Sequence, residues 1–439
     1  MRSNTSLQST VDRVVSISEQ ALEKEIAFLY TQDEYFTGKT VTINGEQKTN
    51  LSSCSYLGLE LHPKVKAAAQ DAIAKYGTQF SSSRSYLSCG LYDEAESLLA
   101  KIFRNPNLIV TPSTSMGHLI VMPVMIGPND LVIADHQAHY SMQFAFKVLV
   151  GQGTDIQIIR HNDMSELEKR ITENEGQYDK IWYVLDGVYS MFGDFAPLEK
   201  LQSLLNSHES LHVYADDAHG MSWTGSNGQG YLLSQIDHHD KMIIATSLNK
   251  SFAGGGGLIL FPNKEWQHRV RMYGGHMMFS GPLQNGSIGA IIGSAKVHLS
   301  DEIDSLQNEF HKKLNFCLHL LKEYGLPVVS DDLSPIFFVG LGLPCTGYNL
   351  LYRLIKQEGY MVNMAVYPAV PENCTGLRFT INNHLEFADI KRFIEKLAYH
   401  FPLALQEEGR TFQDIYRGFR KVNSFDWVKS RDALSTTAS

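Results

Sequence analysis

Short apolar runs separated by helical patterns fill the middle of the chain. The runs lie at 107–110, 130–134, 155–159, 180–185, 212–215, 242–245 and 257–261. Runs this short, with little polar alternation inside them, suit strands buried on both faces. Seven such strands with intervening helices predict an α/β fold with a mostly parallel sheet covered on both sides. Ahead of the sheet, 16–30 reads as an amphipathic helix, with Ile17, Leu22, Ile26, Phe28 and Leu29 roughly at helical spacing. The stretch 64–76 is a clearer helix, opened by Pro63 and closed by Gly77. Beyond the sheet, 301–324 carries the apolar stripe Ile303, Leu306, Phe310, Leu314, Cys317, Leu318 and Leu321, and ends at Gly325 before Pro327. A strand at 335–341, a helix at 348–357, a strand at 378–381 and a helix at 387–400 then predict a smaller α+β domain. The resulting division is an N-terminal arm, 1–55, a large domain, 56–300, a small C-terminal domain, 301–408, and a C-terminal extension, 409–439. The extension closes in a polar Ser/Thr tail, which is expected to be loose. No internal repeat is present.

Composition narrows the function. With 439 residues, 43% of them hydrophobic and 19% charged, the chain can bury the core of a globular enzyme. A net charge of −9 speaks against a nucleic-acid binder, which needs a basic face. The five cysteines, Cys54, Cys89, Cys317, Cys345 and Cys374, are scattered without a C-x-x-C, which points to reduced thiols in a cytoplasmic setting. The 17 histidines show no zinc pattern, so no metal site is expected. Residues 1–19 lack the apolar run of a secretory leader, and no stretch approaches the length of an integral membrane segment.

Two segments carry candidate chemistry. Lys250 follows the 242–245 run and precedes the glycines 254–257, with Thr246 and Ser247 just upstream. An amine at a strand end, beside hydroxyls that can hold a phosphate, suits a Schiff base to a carbonyl cofactor. The strand at 211–215 delivers Asp216, Asp217 and His219 to its C-terminal end, where open α/β sheets bind ligands. An acid buried against a pyridine nitrogen keeps that nitrogen protonated and the ring an electron sink. The separation of 34 positions between Asp216 and Lys250 leaves room for a helix and the next strand, so both can stand on strand ends of one sheet.

With these residues in view, the chain from about 51 to about 393 resembles the α-oxoamine synthase family of pyridoxal 5'-phosphate (PLP) enzymes. The resemblance rests on several blocks in order. They are Tyr56-Leu57-Gly58-Leu59 with His62-Pro63; Tyr76-Gly77-Thr78; Ser83-Arg84; Asp186-Gly187-Val188-Tyr189-Ser190-Met191 with Gly193-Asp194 and Ala196-Pro197-Leu198; Asp216-Asp217-Ala218-His219 with Gly225, Asn227-Gly228 and Gly230; Lys250; Phe279-Ser280; and Val370-Pro371 ahead of Leu377-Arg378-Phe379. The resemblance implies the fold type I aminotransferase architecture. It also implies a decarboxylative condensation of an amino acid with an acyl thioester, on CoA or a carrier protein, giving an α-aminoketone.

By the same resemblance, Lys250 is the Schiff-base lysine and the base that takes the α-proton. Asp216 pairs with the pyridine nitrogen, and His219 and Ser190 bond the phenolic oxygen. His139 stacks on the ring. Thr114 and Ser115, with a helix expected from Met116, and Ser247 hold the phosphate. Ser280, with Gly281, reaches it from the other subunit, which implies a homodimer with shared active sites. Arg378 clamps the substrate carboxylate. The chain departs from the family at four places. Cys54-Ser55 stands where an Asn that helps bind substrate is common, which makes Ser55 a candidate substrate contact. Tyr92 stands where a His is usual, His118 replaces an Asn, and Asn249 replaces a Gly. Most of these departures fall at the substrate end and leave the main PLP contacts intact. The alternative on the same fold is an aminotransferase. A catalytically idle partner subunit is disfavoured by the presence of Lys250.

Overall fold

A computed structural model describes residues 4–419. Ser55–Ser190 and Asp194–Phe310 form one compact unit, and the rest of the described chain forms a second. The larger unit is built on seven strands: β1 (Leu108–Thr111), β2 (Leu131–Asp135), β3 (Asp155–Ile159), β4 (Ile181–Asp186), β5 (Leu211–Asp216), β6 (Met242–Ser247) and β7 (Gly257–Leu260). They form one sheet in the order β1-β7-β6-β5-β4-β2-β3. β7 runs antiparallel to both neighbours, and every other neighbouring pair is parallel.

Alternate residues of each strand feed two separate cores. Leu131, Ile133, Tyr183, Val213 and Ile244 pack on one face with Leu99, Leu167, Leu201 and Ile291. Val132, Ala134, Val184, Tyr214 and Ile243 pack on the other with Val121, Met122 and Met142. Burial on both faces explains why the runs read as continuous apolar stretches. β3 at the sheet edge is the exception, with only Ile159 buried.

The strands reach further than the apolar runs that announced them. β2, β4 and β5 end in Asp135, Asp186 and Asp216, and β6 ends in Ser247. The ladder pairs Asp186 with Asp216. A polar residue therefore closes each of these strands at the carboxyl edge, where parallel sheets bind ligands. The turn from β6 back into β7 needs left-handed backbone at Ala253 (φ 59°), Gly255 (φ 123°) and Gly256 (φ 84°). Gly257 is required for space, because a Cβ there would stand 2.5 Å from the amide nitrogen of Thr114.

The smaller unit holds two three-stranded sheets. In one, Thr40–Ile43 and Glu46–Asn50 form a hairpin, and Tyr360–Met361 adds to it in parallel. The segment that the sequence marks as an arm thus contributes strands, which its polar composition hid. The other sheet places Thr375–Thr380 between Ile336–Gly342 and Asn363–Ala365, antiparallel to both. The N-terminal helix is Asn4–Glu23 rather than 16–30. Glu25 (φ 50°) and Phe28 (φ 55°) adopt left-handed backbone, which an α-helix cannot absorb. The helix expected at 348–357 is α-helical over Pro344–Tyr352 and continues as a π-helical turn, Arg353–Gln357. Past residue 408, Phe412–Phe419 is helical, with Ile415 and Phe419 buried, and the Phe419 ring meets Phe338 at 6.0 Å between centroids. The remainder of the expected loose tail, 420–439, lies outside the described residues.

Candidate active site

The carboxyl edge of the large sheet opens into a cavity of about 320 Å³. Lys250, Asp216, His219, His139, Thr114, Ser115 and Ser247 all line it. Residues at or following three strand ends and opening a helix, far apart in sequence, therefore share one wall.

One end of the cavity is built for an anion. The helix Thr114–Met125 begins there, and the hydroxyl of Ser113 caps it by accepting from the Met116 amide at 3.1 Å. The helix thus starts two residues ahead of Met116, and Ser113, which the sequence reading passed over, is both its cap and part of the wall. Hydroxyls of Ser113, Thr114, Ser115 and Ser247 join the free amides of the first turn, an arrangement that favours a phosphate. Gly257 comes close to this end, since a Cβ there would stand 2.5 Å from the Thr114 amide nitrogen.

At the centre, Lys250 Nζ lies 2.7 Å from His219 Nε2, and the other ring nitrogen, Nδ1, lies 2.7 Å from the hydroxyl of Tyr56. A lysine ammonium donating to Nε2 leaves the imidazole proton on Nδ1, facing Tyr56. His139 caps the helix Tyr140–Gly151 and accepts at Nδ1 from the Ser141 amide and hydroxyl, so its proton sits on Nε2. Burial holds the His139 pKa below its ordinary value, with Lys250 adding to the shift and Asp216 opposing it.

Asp216 and Asp186 stand side by side on the sheet, and burial acts against both charges. Burial raises Asp186 well above the carboxylate range, and the neighbouring Asp216 charge adds to this. Asp216 goes the other way. Burial would raise it, but a hydrogen bond from His118 and the electrostatic pull of His118, His139 and Lys250 bring it down to about 2. The two close acids are thus driven in opposite directions, Asp186 up and Asp216 down. Asp186 accepts from the backbone amide of His139 at 3.0 Å and lines the cavity. The sequence quoted Asp186 only as part of a block, yet its place at the end of an apolar run was the same signal that marked Asp216.

His118, which the sequence names only as a departure from the family, stands beside Asp216. In the structure its Nε2 lies 3.0 Å from Asp216 Oδ2, and its Nδ1 lies 2.9 Å from the Tyr214 hydroxyl. Tyr92 sits away from the cavity wall. Buried at 4% exposure, it takes the Leu283 amide at its hydroxyl and stacks under Arg84, whose guanidinium lies 3.8 Å from the ring centre. Asp217 points away from the cavity and accepts from the Leu232 amide at 3.0 Å. Burial pushes its pKa up to about 8.

Behind the wall, His161 is clamped between Asp135 (Nδ1 to Oδ1, 3.0 Å) and Asp194 (Nε2 to Oδ2, 2.6 Å). Burial works against its charge, but the two carboxylates prevail and raise its pKa to about 10. With that pKa it is cationic at neutral pH, and it ties the end of β2 to the turn after β4.

The remaining expected site residues lie elsewhere. Ser190 is buried but is not part of the cavity wall. Ser280 is partly exposed next to Phe279, which is 85% exposed, and it too is outside the wall. Ser55 opens the larger unit, and its carbonyl accepts from the Gly58 amide. Arg378 belongs to the smaller unit, where it is buried on Thr375–Thr380 opposite Phe338 and Asn363. Among the described residues, no group of His, Cys, Asp or Glu could hold a metal ion. Nor is any helix of these residues long and apolar enough to cross a membrane.

The fold is that of the PLP-dependent enzymes of aminotransferase fold type I. A family model for aminotransferase class I and II matches residues 46–397. The serine palmitoyltransferase of Bacteriovorax stolpii is 27% identical over 388 residues, covering 88% of this chain and 90% of the relative. The 8-amino-7-oxononanoate synthase of Treponema denticola is 30% identical over 377 residues, covering 83% and 90%. Among solved structures, a serine palmitoyltransferase variant from S. paucimobilis, with a bound adduct of PLP and myriocin, superposes with a TM-score of 0.82 at 23% identity. That match covers 92% of this chain and 99% of the other. The chain belongs to the aminotransferase class I and II family, on its α-oxoamine synthase branch, and is a PLP-dependent enzyme. The cavity fits that cofactor: anion-binding donors at one end, an ionised buried acid for a protonated ring nitrogen, and an amine between them.

Proposed function

We propose that this enzyme condenses an amino acid with an acyl thioester, with loss of CO2, to give an α-aminoketone. The observation that carries the reading is the placement of Lys250, His219 and an ionised Asp216 in one cavity whose far end is an anion cradle. The relatives' activities support the choice of reaction. Bound PLP supplies an electron sink for the pair left behind when a bond at the amino acid's α-carbon breaks. The residues do the rest. Lys250 holds the cofactor carbonyl and then moves the α-proton, helped by the His219 imidazole at 2.7 Å. Asp216 keeps the pyridine nitrogen protonated. His219 and Ser190 hold the phenolic oxygen. His139, half-buried, covers the ring. Thr114, Ser115 and Ser247 take the phosphate, joined by Ser280 of a second copy in a homodimer with shared sites. Arg378 takes the substrate carboxylate as a planar fork, and Ser55 is a further substrate contact. The unpaired cysteines support a cytoplasmic location.

The test uses carboxyl-labelled amino acids with a panel of acyl-CoA and acyl-carrier thioesters. Labelled CO2 released only when a thioester is present, with one thiol freed per CO2, supports the condensation. Amino transfer to a keto acid with the label retained decides for an aminotransferase.

A further inference from the structure

The strand-end acid at the centre of the site does not stand alone. Asp216 Oδ1 accepts from the Ala218 amide at 2.9 Å, within its own turn. Its Oδ2 faces His118 Nε2, which comes from a different element, the helix Thr114–Met125. His118 is fully buried, and its other nitrogen meets the Tyr214 hydroxyl. The hydrogen bonds allow one consistent assignment for a neutral ring. Tyr214 O–H donates to Nδ1, and Nε2–H donates to the carboxylate. A core histidine satisfied only by its neighbours would need no cavity-lining partner. This one spends a nitrogen on the acid that defines the site.

We propose that His118 is a positioning residue for Asp216, fixing the carboxylate's plane so that its charge is aimed at the pyridine nitrogen. The proposal rests on the assignment of Asp216 to that nitrogen made above. Thr114 and His118 lie one turn apart on the same helix face, so one rigid element sets both the anion cradle and the acid. The distance between the cofactor's two polar ends is thereby built into a single helix. Asp216 is faced by His118 and Tyr214, by His139 from the loop after β2, by Lys250 from the loop after β6, and by Asp186 and Asp217. His118 is the neighbour whose side chain hydrogen-bonds the carboxylate. Glutamine at 118 can place an amide N–H near the position of Nε2 and keep that bond, whereas leucine cannot.

The experiment prepares wild type, His118→Leu, His118→Gln and Tyr214→Phe as holoenzymes with PLP labelled with 15N in the ring. Ring-nitrogen protonation is read from the 15N shift across neutral and mildly alkaline pH, and PLP affinity is read by dialysis. Wild type should hold the nitrogen protonated throughout. His118→Leu should lose that protonation at the alkaline end and bind PLP about 10- to 100-fold more weakly, the range for one hydrogen bond to a charged group. His118→Gln should recover most of both. Tyr214→Phe, which leaves His118 in place but frees its tautomer, should fall between. If His118→Leu does not fold, the contrast of His118→Gln and Tyr214→Phe with wild type decides. Protonation and affinity equal to wild type in every variant that folds overturns the proposal alone. A wild-type enzyme whose ring nitrogen is neutral overturns the Asp216 assignment, and the proposal with it.

Discussion

Replacing His161 by Gln should change how stability depends on pH. His161 carries both ring protons between Asp135 and Asp194, and its pKa is raised from 6.5 to about 10. A group whose folded pKa lies above its unfolded value stabilises the fold fully below the unfolded pKa. That contribution then declines and is lost as pH rises through the folded pKa. The window here is therefore about pH 6.5 to 10, with a slope near 1.4 kcal/mol per pH unit once the unfolded chain has lost its proton. Between pH 7 and 9 the single proton accounts for a loss of about 2 kcal/mol in wild type. His161→Gln has no imidazole to titrate, so its stability should fall less over the same range by about that amount. Urea denaturation of both holoenzymes at several pH values measures the difference. The variant should also be less stable at pH 7, because two buried carboxylates lose their cation. Parallel pH profiles for the two proteins would refute a cationic His161 and leave the clamp an ordinary hydrogen-bonded one.

Borohydride treatment of the PLP-loaded protein, followed by peptide mapping, should place the label on Lys250; label on another lysine would remove the proposed centre. Asp216→Asn should keep PLP bound and lower labelled-CO2 release by about 10²- to 10³-fold or more, as when a key electrostatic partner is deleted. Turnover within tenfold of wild type would mean that Asp216 does not face the ring nitrogen. Gly257→Ala should leave circular dichroism near wild type and weaken PLP binding at least tenfold, since its Cβ would press on the Thr114 amide at 2.5 Å, a backbone atom with little room to yield; unchanged affinity would show that this contact does not set the cradle.

The elements of the large sheet were readable because burial on both faces leaves a one-dimensional trace. An apolar run of four to six residues closed by an acid or a hydroxyl marks both a strand and its functional end. Lys250 and Asp216 were found that way, and the order of the blocks named the family. The N-terminal strands at Thr40–Ile43 and Glu46–Asn50 were not readable. Their polar alternation resembles a loop, and their partner Tyr360–Met361 lies some 300 residues away. The helix end near residue 24 was equally silent, because left-handed backbone at Glu25 and Phe28 is imposed by surroundings and not by residue type. In the site, the sequence pointed to Lys250, Asp216, His219 and His139, which the structure gathers on one cavity wall, because their chemistry is fixed by residue type and position near a strand end. Only the tertiary structure decided their charge states. His118, from a helix distant in sequence, pulls Asp216 down while burial pushes Asp186 up, and the charge of His161 depends on one acid at the end of β2 and another in the turn after β4. Such energies arise from distances between groups remote in the chain, and no local pattern records them.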